Sequence, residues 1–453
     1  MAKRKQKGNP NAMISMPVVN PNAAGIDAGS RGHYVCVSQD NVKEFKTHTA
    51  GLHETCKHLM SYGVKTVAVE STGFYWQQLF TMLQDYGFEV ILVNARHVKN
   101  VKGHKTDVVD SKWLQLLHSI GLLDNSFQPD NFTKELRQYT RHRRSMIETS
   151  SRFIAKMNKS LVLMNILLKT VLRDLTGESG LKVIEALIKG ERNPNKLEKL
   201  VGKNVKASRD EIVKALTGDW RSEHMFELTQ NYEFYKFTWE KIRQTDKQIE
   251  AILENWQESN GDSSQREEYA KIKQKFRQKN DPKFDVKAFA YQMTGGVDLS
   301  QIDGVNINTI LTMMSETGFK IKQKFKTPKH FTSWLGFAPN RKITGEKVIS
   351  SKTQKVKKPL TAAIRQAANS AGNSKGRLGD FFRRIAYRKG RSVAIIATAR
   401  KIAVIIYKML ETGKEYSYSY GYDEIERVKK AQIQKMIRVI KKFEIKEEEL
   451  IFA

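Results

Sequence analysis

Apolar positions along this chain follow two rhythms. Up to about residue 95 they come in short blocks. Ala24-Gly25-Ile26-Asp27 is an apolar run that ends in an acid, Tyr34 to Val37 and Val42 to Phe45 alternate like strands, and Asp40-Asn41 sits between them as a turn. Leu52 to Tyr62 has helical spacing, Thr66-Val67-Ala68-Val69-Glu70 is again a buried strand closed by an acid, Trp76 to Tyr86 returns to helix, and Val90 to Val93 is a further strand. From Asp107 to Leu122, the residues Val108, Trp113, Leu114, Leu117 and Ile120 mark one face of a helix. Three strands in hairpin order followed by alternating helix and strand predict an α/β layer fold with a mixed sheet.

The middle of the chain changes period. Ile147, Ser150, Ile154, Met157, Leu161, Met164, Leu168 and Val171 step by three and four, and so do Leu228, Tyr232, Tyr235, Trp239, Ile242, Asp246, Ile249, Leu253 and Trp256. Two such heptad seams predict long helices paired as an antiparallel coiled coil, within the chain or between protomers. The polar, basic stretch from Gly190 to Gly218 would cap that hairpin, and Glu258 to Pro282 reads as a linker or a solvated helix. A second compact, mostly helical region opens near Phe289. It contains a turn, Gln301 to Asn306, that suits either a helix reversal or a backbone N–H site for phosphate. The expected organisation is a basic flexible arm (1–22), an α/β domain (23–125), a helical coiled-coil region (126–288), a mostly α C-terminal domain (289–412) and a peripheral helical tail (413–453).

Charge narrows the function. Among 453 residues, 78 Lys and Arg face 48 Asp and Glu, a formal charge of +30, which favours a polyanionic partner such as nucleic acid. No apolar stretch is long enough for a membrane span, and the basic N-terminus lacks the apolar core of a secretory signal. Cys36 and Cys56 are too few for a disulfide framework or a zinc cage and read as reduced thiols, which suits the cytosol.

Four acids stand where phosphodiester chemistry would use them. Asp27 and Glu70 close predicted strands, and functional groups in α/β folds collect at the carboxyl ends of strands. Asp107 and Asp110 are three apart, so both lie on one face of a helix. Convergent carboxylates repel one another unless cations bind, which points to one or two Mg²⁺ ions able to activate an attacking oxygen and stabilise a leaving one.

At the same residues the chain resembles a known family. Ala24-Gly25-Ile26-Asp27, Val69-Glu70-Ser71-Thr72-Gly73-Phe74-Tyr75-Trp76, Val93-Asn94-Ala95-Arg96 and Lys105-Thr106-Asp107-Val108-Val109-Asp110 look like the N-terminal domain of the DEDD transposases of the insertion sequence 110 group and its 1111 relatives. Gly336-Phe337-Ala338-Pro339 and the loop after it resemble the second domain of that family. The resemblance implies a RuvC-like, RNase H-like first domain with Asp27, Glu70, Asp107 and Asp110 as Mg²⁺ ligands, and recombination of target and donor DNA guided by a structured bridge RNA. It also implies a serine that forms a covalent 5′-phosphoserine link, acids and serine meeting between protomers in a dimer-to-tetramer assembly, and a cytoplasmic, nucleoid-associated prokaryotic protein.

The chain departs from that pattern at the nucleophile, where Thr344-Gly345 replaces the family's Ser-Gly. A threonine hydroxyl can attack, although its methyl stiffens χ1. Thr344 is the first candidate by position, Ser350 or Ser351 the second, and loss of strand exchange the third. Two other readings stay open: a RuvC-like metal-dependent endonuclease with no covalent intermediate, and a non-catalytic nucleic-acid-binding derivative. Arg141, Arg143, Arg144, Lys342, Lys347, Lys352 and Lys355 are the expected phosphate contacts, within a wider basic crowd that includes Lys324, Lys357 and Lys358. His142 reads as a phosphate contact or surface residue, since no second ligand stands at metal spacing.

Overall fold

A computed structural model describes residues 16–71, 73–94, 106–260, 278–340, 342–345, 347–416, 433, 434, 436–438 and 440. Most of the basic arm, Thr72, Lys105, Arg341, residues 261–277 of the expected linker and nearly all of the C-terminal tail lie outside the described residues. The chain divides into two compact units, residues 1–128 and 129–453.

The first unit is built on a five-stranded mixed sheet in the order β3-β2-β1-β4-β5, from β1 (Ala23–Ala28), β2 (Gly32–Ser38), β3 (Asn41–Lys46), β4 (Thr66–Glu70) and β5 (Glu89–Val93). β1 runs antiparallel to β2 and parallel to β4, and β4 runs parallel to β5. Side chains alternate across this sheet, so each strand serves two cores. Ala24, Ile26, Ala28, Val67 and Val69 join Leu52, Cys56, Leu59, Leu79, Phe80 and Leu83 from helices α1 (Thr49–Ser61) and α2 (Trp76–Asp85). On the opposite face Ala68 and Val93 pack on Leu114 of helix α3 (Asp107–Ser119). α1 starts before the predicted Leu52 because the His48 side chain accepts the Gly51 N–H and caps the helix. Cys36 and Cys56 are buried, and burial pushes each thiol up to about 11. Mixed-sheet order and flanking helices are compatible with the RNase H-like fold expected of this unit.

Among its described residues the second unit is helical apart from one small hairpin. Helices α4 (Asn131–Leu163) and α9 (Ser222–Asn260) pair with each other inside one chain. Their partners run in opposite directions: Phe132 on Trp256, Arg143 on Asp246, Phe153 stacked on Phe234, and Ser160 bonded to Glu227. The two heptad runs therefore form an antiparallel helical hairpin. The first run stops early, however. α4 ends at Leu163, Asn165 takes a left-handed φ of 55°, and Leu168 and Val171 fall in a separate turn of helix, α5 (Leu168–Val171). Short helices α6 (Glu178–Ile188), α7 (Pro194–Glu198) and α8 (Arg209–Ala215) then cover the closed end through Val183, Ile184, Leu187, Leu197 and Ile212.

Beyond α10 (Val286–Met293), the turn at Gly304 leads to α11 (Ile307–Glu316). A Cβ on Gly304 would lie 2.1 Å from the Ala367 carbonyl oxygen, and its φ is 84°. The Asn306 side chain caps the Thr309 N–H of α11. Close packing and a self-supplied cap account for this turn, so helix reversal is the reading the geometry carries. Helices α12 (Ile321–Lys324) and α13 (Pro328–Trp334) follow, then the hairpin of β6 (Lys342–Thr344) and β7 (Lys347–Ser350), and helices α14 (Pro359–Ala371), α15 (Arg377–Lys389) and α16 (Arg391–Thr412). No helix among the described residues is long and apolar enough to cross a membrane.

Candidate active site and nucleic-acid surface

The acids of the first unit gather by register. Ile26 lies beside Val69 on the adjacent parallel strand, so Asp27 and Glu70, one residue further on, are neighbours at the same strand ends. Gly25 and Ala68, two residues before each acid, face α3, and a period of two turns Asp27 and Glu70 to that face as well. α3 begins at this end of the sheet. Its backbone comes so near β1 that a Cβ on Gly25 would sit 2.3 Å from the Gln115 nitrogen and 2.6 Å from the Ser111 oxygen, a gap only glycine fits. Further along, Gln115 reaches the Ala23 carbonyl and His118 bonds Thr66 at 2.9 Å, which fixes the direction of the helix. The first turn, with Asp107 and Asp110, thus lies by the carboxyl ends of β1 and β4.

Local chemistry supports that placement. Thr106 caps α3 by accepting the Val109 N–H at 3.3 Å, and acids in a first helical turn are favoured by the helix dipole. Tyr34, the cross-strand partner of Asp27, has its phenol pKa raised by the Glu44 carboxylate, by burial and by Asp107. Asp107 is exposed, and Asp27, Glu70 and Asp110 are half-buried and engaged with neighbours. The donor set is all oxygen, the kind a hard divalent cation takes. Among the described residues, though, no three acids, imidazoles or thiolates stand close enough to grip one ion, so the four acids share a sheet end without closing a cage. Immediately after Glu70, Phe74 and Tyr75 form a tilted ring pair at 4.6 Å, with Phe74 69% exposed. In the sequence these two rings stand out only as part of the family motif after Glu70, with no role of their own.

The hydroxyl candidates lie in the second unit. Thr344 ends β6 and pairs with Lys347 across a turn in which Gly345 has φ 59°. Thr344 and Ser351 are exposed; Ser350 is half-buried and accepts the Lys352 N–H at 3.3 Å. The hairpin base is fixed by the Asn340 N–H donating to the Lys352 carbonyl and by a bridge between Pro339 and Thr353.

The expected phosphate contacts sort into two groups. Lys342, Lys347, Lys352, Lys355 and Arg144 are exposed. Arg143 is not: it is 3% exposed, ion-paired with Asp246, and donates to the Asn280 carbonyl at 3.0 Å. Its place on the α4–α9 seam removes it from any nucleic-acid surface, and it also explains the polar seam position at Asp246. Arg141 is half-exposed but holds Glu316 with two bonds of 2.7 and 2.8 Å. In the wider basic crowd, Lys324 bonds Asp130 and the Thr317 carbonyl. Lys358 lies 3.7 Å over the Trp334 ring and donates to the Trp334 carbonyl, and burial brings its pKa down to about 8. His142 is exposed.

Comparison with known proteins returns two family models. A transposase model, the DEDD domain of the IS110 group, matches residues 24–166, and the model described as Transposase IS116/IS110/IS902 family matches residues 298–383. Together they span half of the chain, and each carries one group of candidates or its surroundings. No curated protein matches.

Proposed function

This chain belongs to the IS110-group family of transposases and is a DNA transposase, and on that premise we propose that it is a Mg²⁺-dependent recombinase guided by a structured RNA. The observation that carries the reading is the gathering of Asp27, Glu70, Asp107 and Asp110 on one face at one end of the sheet. These four are the oxygen donors that would hold the metal once drawn closer than they stand here, and the bound metal would supply Lewis-acid polarisation of the scissile phosphate. In the second unit the Thr344 hydroxyl attacks the phosphorus. A bond forms from its oxygen to the 5′ phosphate, the bond to the 3′ oxygen breaks, and that oxygen leaves with a proton as a 3′ hydroxyl. Ser350 and Ser351 are the alternatives to Thr344. Strand rejoining is the same exchange in reverse. The guide RNA and a dimer-to-tetramer assembly rest on the family resemblance and, for RNA, on the +30 charge.

The test uses full-length protein, Mg²⁺, the RNA encoded beside the gene and a nicked suicide DNA labelled on the 3′ side of the cut, in the fragment whose 5′ phosphate joins the protein. Protein run on a denaturing gel should carry label, and mass spectrometry should find the adduct on the peptide containing Thr344. Thr344→Ser should keep the adduct and Thr344→Ala should lose it. An adduct on Ser350 or Ser351 would move the nucleophile. Cut DNA with no adduct would replace recombination by water-mediated cleavage, and intact DNA would leave a binding protein.

A further inference from the structure

The second unit contains a basic cleft that none of the reactions above uses. It has a volume of about 390 Å³ and lies between α4 and the start of α14, lined by Arg141, Arg144, Lys357, Lys358 and Arg365, with Glu148 as its one acid. Two of its cations are already answered, Arg141 by Glu316 and Arg144 by Glu148 at 3.1 Å. Lys357 and Arg365 have no ion-pair partner among the described residues, and the Lys358 amine is bonded only to a neutral carbonyl. The cleft therefore holds a surplus of positive charge, on Lys357, Lys358 and Arg365, that a monovalent anion would offset in part. No side chain caps α14 at Lys358, so the positive end of that helix adds to the same field.

We propose that this cleft is a seat for one backbone phosphodiester of a nucleic-acid strand, with Arg365 and Lys357 as its principal contacts. The reading rests on nucleic acid being the substrate and goes further by fixing where one phosphate is held. Location supports it. The strap of residues 351–358 that leaves the Thr344 hairpin is the same segment that lines the cleft with Val356, Lys357 and Lys358. That strap is pinned: Gly336 admits Val356 where a Cβ would lie 2.5 Å from the valine side chain, and Thr353 bridges to Pro339. A strand gripped in the cleft is thus held at a fixed place relative to the base of the hairpin. Lowered basicity of Lys358 is consistent with the seat, since an arriving anion would restore its full charge.

The test measures binding of full-length protein to labelled single-stranded DNA, duplex DNA and single-stranded RNA across a salt series. Arg365→Ala and Lys357→Ala should each weaken binding several-fold on any sequence and lower the salt slope by about one, as losing one phosphate contact does. Lys203→Ala, an exposed lysine of the helical cap, controls for loss of charge alone. Oligonucleotides with a single neutral methylphosphonate linkage give the deciding result. At one linkage position the neutral group should weaken wild type but leave Arg365→Ala unchanged. Loss with the DNA probes only, or with RNA only, supports the seat and assigns its source. Effects that multiply at every position, or that equal those of Lys203→Ala, overturn it. If wild type binds none of the probes, the nucleic-acid reading itself fails, which is a different result.

Discussion

Charged residues in the two units are used in different ways. In the first, acids from two strands and one helix end up at one end of a sheet because strand register and a glycine-fitted helix bring them there. In the second, neighbouring cations on one helix have opposite uses: Arg143 is sealed into the α4–α9 seam with Asp246, while Arg144, the next residue, is exposed and pairs with Glu148. A run of charge in sequence therefore says little about role until the face of the helix is known. Removing an acid from the first unit should cost activity and spare the fold. Removing a seam cation from the second should cost the fold and spare the binding surface.

The largest effect belongs to the acids. Glu70→Ala and Asp27→Ala should cut Mg²⁺-dependent cleavage by on the order of a thousand-fold, the equivalent of losing several kcal/mol of transition-state stabilisation. Melting temperature and nucleic-acid affinity should stay near wild type. Cleavage that survives in both variants would remove the metal site from this end of the sheet.

Next comes Arg143. Arg143→Met leaves Asp246 buried without its partner, and breaking a buried pair from one side costs about 3–5 kcal/mol. Urea unfolding should show that loss, whereas the double variant Arg143→Met/Asp246→Leu should recover most of it. DNA affinity of the folded fraction should not change. A fall in affinity with stability intact would return Arg143 to the nucleic-acid surface.

Gly25→Ala joins the two kinds of effect. Its methyl would meet the backbone of α3, and overpacking of this sort costs about 1–3 kcal/mol. Because α3 carries Asp107 and Asp110, the same shift should lower cleavage more than it lowers stability. Equal losses in both would show that the helix yields without disturbing the acids.

The regular parts were legible in sequence because their periods are short-range. Strands ending at or one residue past Asp27 and Glu70, and the helix starting at Asp107, follow from alternation and from threefold spacing alone. The long seams were also visible, but their end was not: nothing in Met164 to Val171 breaks the heptad step, and the chain turns at Asn165 because α5 to α8 pack there. The fate of Arg143 and Lys358 was hidden for a related reason. Whether a cation is buried depends on a partner a hundred residues away for Arg143, and on the Trp334 ring for Lys358. Arg365 was overlooked because the cleft exists only once α4 and α14 are brought together.

The smallest effect concerns Asp130, the residue that starts the hairpin of the second unit. One carboxylate oxygen caps α4 by accepting the Thr133 N–H at 2.8 Å, and the other accepts from Lys324 at 3.1 Å. Burial raises its pKa, but hydrogen bonds from Thr133 and Lys324 outweigh that and bring it from 3.8 down to about 2. A folded pKa below the unfolded one means that the stabilisation is fully present above 3.8 and is lost as pH falls through about 2. Asp130→Asn keeps an oxygen for the cap but loses the charge. Its stability deficit in urea should be constant above about pH 5 and narrow towards pH 3, as the wild-type carboxylate loses its advantage over the amide. An equal deficit at both pH values would mean that cap geometry alone, and not charge, holds this end of the helix, and would place Asp130 with the structural charges of the seam.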